Sequence, residues 1–137
     1  MGNRAMIVFK GMDIGIYLHW NGGIDSVTAF LKYCELRRFR TDDYGVARLT
    51  QIIANYFGGD LSIGVTAHPE TYGWLDNGVY TIEGWKIVDH MTETGEPWGE
   101  EEHEGYDITD FVVDIDNEQP EKDRLGENYI REAMNHE

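Results

Sequence analysis

One cysteine stands among 137 residues. The chain therefore closes no internal disulfide, and nothing in its cysteine usage points to secretion. Basic residues are scarce: 11 Lys and Arg face 26 Asp and Glu, a formal charge of −15. That balance argues against a protein that binds DNA, RNA or an anionic membrane directly. No apolar run approaches the roughly 20 residues of a membrane span, and the N-terminus lacks the apolar core of a signal peptide. No two of the five histidines are three to five residues apart, so the local spacing of a metal site is missing. There is no Gly-x-Ser-x-Gly elbow, and no internal repeat. These absences leave the expectation of a soluble, cytoplasmic, non-catalytic protein with no cofactor and no metal.

What is present is enough for a core. Hydrophobic residues make up 41% and aromatic ones 12% of the chain, which argues against disorder along most of it. A length of 137 residues suits a single domain over 1–137. The charge is lopsided. Residues 1–57 carry seven basic and five acidic residues, a net of +2, whereas 89–137 carry three and 17, a net of −14. Asymmetry of this kind suggests a polar partner surface at one end, or a solubilising tail.

Periodicity gives the elements. Ala5 to Lys10 reads as a strand, and Ile14, Ile16, Leu18 and Trp20 alternate with Gly15, Tyr17 and His19 as a second, half-buried one. A helix is predicted over Asp25–Arg38, with Asp25 or Ser26 as cap and Val27, Phe30, Leu31 and Cys34 as its apolar stripe. Another is predicted over Tyr44–Phe57, with Val46, Leu49, Ile52, Ile53, Tyr56 and Phe57 as its buried side, and closed by Gly58. Leu61–Thr66 reads as a strand. Asp76-Asn77-Gly78 is a hairpin-type turn into a strand-forming stretch, Val79–Val88, that Gly84 interrupts as a bulge or second turn. Residues 89–106 read as a long acidic loop, and 107–134 as an acidic helical segment. In it Ile108, Phe111, Val112 and Ile115 make a helical stripe; a strand with Phe111, Val113 and Ile115 inward has fewer matches. The order implies an α+β fold: a mainly antiparallel sheet of four or five strands packed with two or three helices.

Two groups of residues could carry function. In the acidic group, Glu100, Glu101, Glu102 and Glu104 crowd one loop, and Asp107, Asp110 and Asp114 follow at spacings that line one helix face. Ordering like charges this way costs stability, so the row is a candidate surface for a basic groove, with Trp98 and Tyr106 as apolar anchors. His90 and His103 near these acids could bind a divalent ion opportunistically. The other group is Asn21, Gly22, Gly23, Asp25 and Ser26, between a strand and a helix. Glycines and a helix N-terminus suit an anion, and Arg37, Arg38, Arg40 or Arg48 could offset phosphate charge. Cys34, on an apolar stripe, reads as an inert hydrophobe.

The string Asn21-Gly22-Gly23-Ile24-Asp25-Ser26 resembles the pyrophosphate-binding loop of ATP pyrophosphatases of the adenine-nucleotide alpha-hydrolase class, with Asn21 in place of the first serine. That resemblance implies a nucleotide or small signalling-molecule binder, or an ATP-pyrophosphatase-like enzyme, that uses this loop. A broader likeness runs through Gly2-Asn3-Arg4-Ala5, Ile14 to Gly23, Asp25-Ser26, Ala29-Phe30-Leu31, Tyr44-Gly45, Ala47-Arg48-Leu49, Asn77 to Tyr80, Trp85 to Val88, Gln119-Pro120 and Arg124-Leu125-Gly126. These residues are similar to a family of small proteins of phages and mobile elements of Gram-positive bacteria. The resemblance implies a setting, the countering of host defence, in which an anti-CRISPR-like inhibitor presents a nucleic-acid-mimicking surface to the basic groove of a host effector nuclease. A plain docking protein using Trp74, Trp85 or Trp98 is a third expectation.

Overall fold

The structure is a computed structural model that describes residues 3–59, 62–99 and 107–136. The apolar alternation of the first twenty residues produces β1 (Ala5–Phe9) and β2 (Gly15–Leu18), paired antiparallel with Ile7 opposite Ile16. Helices α1 (Ile24–Leu36) and α2 (Asp43–Phe57) follow. Then come β3 (Ile63–Thr66), β4 (Val79–Glu83) and β5 (Lys86–Met91), and finally α3 (Thr109–Asn117) and α4 (Glu127–Asn135). The strands form one sheet in the order β3-β2-β1-β4-β5. Three ladders are antiparallel and the central β1–β4 ladder is parallel, so the fold is α+β with a mostly antiparallel sheet. Four helices pack with it, one more than the two or three expected. Among the described residues no helix is long and apolar enough to cross a membrane.

The sheet has two unlike faces, as period-2 side chains require. Ala5, Ile7, Phe9, Ile16, Leu18, Tyr80 and Ile82 join α1, α2 and α3 in one buried cluster. On the other face Met6 is buried beneath the Pro69–Thr71 turn. A Cβ at Gly15 would lie 2.8 Å from Met6 Sδ and 2.9 Å from the Pro69 ring.

Several local expectations change. Asp76-Asn77-Gly78 makes a turn but no hairpin, because β4 runs parallel to β1, and Asn77 N–H donates instead to the Arg4 carbonyl at 2.9 Å. Gly84 is a turn residue: Gly84 and Trp85 both have positive φ, 59° and 64°, and close the β4–β5 hairpin, while the bulge lies between Thr81 and Ile82. The α1 cap is Gly23 rather than Asp25 or Ser26. The loop expected over 89–106 starts later. Strand β5 runs through Met91, and Met91 bridges to Pro97. His90 is sandwiched there, its ring stacked 4.0 Å from Tyr80 and 4.3 Å from Trp98, with Nε2 2.6 Å from the Asn77 carbonyl. Trp98 is thus half-buried against its own sheet, and Trp85 is buried with its indole N–H on the Phe39 carbonyl at 3.0 Å. Of the three tryptophans expected to dock, Trp74 alone is largely exposed, at 78%.

The helical layer is closed by a carboxylate. Asp116 on α3 is 1% exposed. Its Oδ1 accepts from the Tyr33 hydroxyl of α1 at 2.5 Å and from Leu125 N–H at 2.8 Å, and Oδ2 accepts from Gly126 N–H at 2.9 Å. Arg37 donates to the Tyr33 oxygen at 3.1 Å. Burial, reinforced by the Asp116 carboxylate, holds the Tyr33 phenol well above the ordinary tyrosine range. Its folded-state value lies above the unfolded one, so its stabilisation is fully present below about pH 10 and is lost as pH rises toward the folded value. Tyr33→Phe should lower stability by about 1–3 kcal/mol at neutral pH and flatten the loss of stability above pH ~10. Urea unfolding at neutral and alkaline pH measures both; parallel pH profiles for the two proteins would contradict this account.

Candidate functional site

A cleft of about 930 Å³ opens between the end of β2, the end of α2 and the outer side of α3. Its size falls within the range of ligand sites. His19, Trp20 and Asn21 form one lip, Tyr56 and Phe57 the wall, and Asp114, Asn117 and Glu118 the opposite rim. The wall is rigid because Phe30, fully buried on α1, meets Tyr56, Phe57 and Phe111 edge-on at centroid distances of 5.5, 6.1 and 6.1 Å. Phe111 of α3 in turn stacks on Tyr56 at 5.6 Å. The lip is fixed as well: His19 Nδ1 and the Tyr17 hydroxyl are 2.8 Å apart, and Trp20 packs edge-on against His19 at 4.6 Å. Trp20 nonetheless remains 52% exposed.

The carboxylates on the rim have no intramolecular work. Asp114 and Glu118 make no side-chain hydrogen bond or ion pair among the described residues. They are felt across the cleft: the Tyr56 phenol is held above its ordinary range, first by burial and then by the charges of Asp114 and Glu118.

The sequence-predicted residues divide. Glu100, Glu101, Glu102 and Glu104, with His103 and Tyr106, lie outside the described residues. Asp107 is exposed just before α3, and its Oδ1 accepts from Thr109 N–H at 2.9 Å, which together with the Thr109 side chain holds its carboxyl below the usual range. Asp110 is exposed but paired with Arg131 of α4 at 2.8 Å. Asp114, on the same helix, faces the cleft. Two of the three aspartates thus carry structural partners that a count of charges does not reveal.

The Asn21–Ser26 loop is occupied with its own fold. Gly22 N–H donates to the Asn3 carbonyl at 2.7 Å, and the Gly22 carbonyl accepts from Tyr80 at 2.8 Å. A Cβ at Gly22 would lie 2.2 Å from the Asn3 oxygen, so glycine is needed there for close chain approach. Ser26 is buried, and its N–H donates to Asp25 Oδ1 at 2.9 Å. The Gly22 and Ser26 amides are therefore spent within the fold, and the Asp25 carboxylate sits beside them. Arg37, Arg38, Arg40 and Arg48 are no help at this end. They lie at or beyond the far end of α1 and on α2, and α1's 13 residues span about 20 Å. Arg40 pairs with Asp42 instead, and both Arg40 and Arg48 cover the Tyr44 ring. Of the loop, Asn21 alone reaches the cleft, in the left-handed conformation at φ 54°.

The periodicity reading placed Tyr56 and Phe57 on the buried side of α2 and passed over Asn117 and Glu118. The signal for the latter pair was there, since Asp114, Asn117 and Glu118 are spaced i, i+3, i+4 and share one helix face. Elsewhere, Cys34 is buried and burial drives its thiol well above the ordinary range. Among the described residues no group of three or more His, Cys, Asp or Glu is placed to hold a metal ion. Comparison with family models, curated proteins and solved structures finds no match to the chain.

Asp114→Asn removes one of the charges that oppose Tyr56 ionisation. Tyr56 should then lose its proton at a lower pH than in the parent protein, yet still above an ordinary tyrosine, because burial is its main cause. An alkaline titration followed by tyrosine ring carbon shifts measures this; an unmoved Tyr56 would mean that the carboxylate does not act across the cleft.

Proposed function

We propose that this protein is a non-catalytic binding protein that presents its acidic C-terminal surface to a basic, nucleic-acid-binding groove of another protein. Its setting is that of an anti-defence, anti-CRISPR-like inhibitor of phages and mobile elements. One observation carries the reading. The exposed side of α3 holds Asp110, Asp114 and Glu118 at four-residue intervals, about 6 Å apart along a rigid axis. Among the described residues a single cation, Arg131, answers them, and only at the Asp110 end. Charges already held in register lose less entropy on binding than charges on free chain. Their potential steers association with a basic surface and excludes anionic competitors.

Asp107 and Glu100, Glu101, Glu102 and Glu104 extend the same acidic stretch of sequence and belong to the proposed surface. The nucleotide reading has weaker support, since the Gly22 and Ser26 amides are committed and the arginines lie elsewhere.

The test is competition with nucleic acid. A CRISPR effector nuclease of a Gram-positive host is assayed for DNA binding and cleavage with the protein in large excess. Both should be suppressed, and suppression should weaken as salt rises. Asp114→Asn with Glu118→Gln should weaken inhibition about tenfold or more with folding unchanged by circular dichroism. DNA binding and cleavage that proceed normally across a panel of such effectors would overturn the proposal.

A further inference from the structure

We propose that the cleft beside α3 is a socket for an arginine side chain of a protein partner. The inference deepens the acidic-surface reading and rests on it, by naming the group that the surface captures. Three features converge. The cleft has aromatic walls, Trp20, Tyr56 and Phe57, and no Lys or Arg lines it. Its rim offers two carboxylates without a hydrogen-bond or ion-pair partner among the described residues, Asp114 and Glu118, and between them the amide of Asn117. Its lip keeps a tryptophan half in solvent beside Asn21 in the left-handed conformation, and exposed aromatic side chains of this kind dominate binding energy when a partner covers them.

Aromatic faces with carboxylates at their edge select a cation that has a flat or apolar body. Guanidinium fits better than ammonium. It is planar and weakly hydrated, stacks on aromatic rings, and its forked N–H groups serve two acceptors at once. Lysine offers a compact, strongly hydrated charge that gains less from the wall. The chain itself uses the same pairing elsewhere: Arg37 lies 5.0 Å from the Phe39 ring centre, and Arg40 lies 4.7 Å from that of Tyr44. The cleft has the aromatic half of such a pair and lacks the arginine. A nucleic-acid-binding groove is rich in arginine for the same chemical reasons, so a protein donor is the occupant to which the charge of the rim and of α3 is complementary.

The experiment uses capped hexapeptides of arginine, lysine and citrulline, the last a neutral isostere of arginine. Each is titrated into the full chain at low salt and followed by proton–nitrogen NMR. The arginine peptide should shift the Trp20 indole and the Asn21 and Asn117 amides, and bind about three- to tenfold tighter than the lysine peptide. The citrulline peptide should leave them unmoved. Trp20→Ala should abolish the arginine-over-lysine preference. Asp114→Asn with Glu118→Gln should weaken arginine binding about fivefold or more, whereas Glu83→Gln, exposed at the end of β4 and outside both the cleft and the acidic surface, should leave binding and preference intact. All four positions are exposed, and amide dispersion in the same spectra verifies the fold. Equal binding of arginine and lysine peptides, unaffected by Trp20→Ala, would overturn the socket and leave the acidic surface standing. No binding of either basic peptide would remove both.

Discussion

The helical layer depends on one buried carboxylate. Asp116 lies on the inner side of α3 and accepts from two neighbouring segments: the Tyr33 hydroxyl from α1, and the Leu125 and Gly126 amides from the turn before α4. A buried carboxylate without partners costs several kcal/mol, whereas hydrogen bonds to a charged group contribute about 1.5–3 kcal/mol each. With three such bonds the balance favours α3 in one position and register. The position matters because α3 and α4 have nine residues each, too few to be stable as isolated helices. Their order comes from docking, and Asp116 is where α1, α3 and the start of α4 meet. Gln119 adds a second fastening, donating to the Ile52 and Ile115 carbonyls and accepting from Asn55.

From that docking follows the cleft. Once α3 is set against α1, Phe111 falls on Tyr56 and both stand on Phe30, so one wall of the cleft is the exposed margin of the core. The opposite rim, Asp114 to Glu118, is the outer side of the same two turns that carry Asp116. A single short helix thus has an inward carboxylate that fastens it and, at its C-terminal end, outward carboxylates that pair with nothing among the described residues. Arg131 and the Thr109 amide engage Asp110 and Asp107 at the start of the helix, where repulsion among the acids is relieved. Among the described residues no comparable partner is supplied at the cleft end.

The fold class was legible because it rests on period and turn chemistry, which are local. The strands and helices fall within a few residues of where alternation, apolar stripes and glycine place them. The chain's long-range choices were not. Nothing in Asp76-Asn77-Gly78 says that the following strand pairs in parallel with β1 rather than turning back as a hairpin. Nothing local marks His90 for a sandwich between Tyr80 and Trp98, 10 residues before it and eight after. The acids were legible only as a sum. Asp116 looks like its neighbours in the sequence and is the opposite of them in the structure, since its environment comes from Tyr33 and from amides nine and ten residues downstream. The cleft was half visible, in the polar face of α3 and the Tyr17–Asn21 lip, but the meeting of the two across Tyr56 is tertiary.

On the proposed reading, charge and cleft divide the work of recognition between rate and residence. Exposed carboxylates along α3 act at long range, and salt screens them over about 8–10 Å, so they govern encounter more than lifetime. A net charge of −15 also repels other copies of the chain and destabilises the compact state slightly. Steering of this kind accepts any basic patch. Selectivity has to come from a group buried at contact, and Asp114 and Glu118 occupy the one stretch of α3 where carboxylates border an aromatic cavity. Their charge counts for little while solvated and for much more once a partner excludes water from the cleft. On the proposed reading, therefore, the acidic row finds a basic surface, and the aromatic cleft at its end decides which surface is kept.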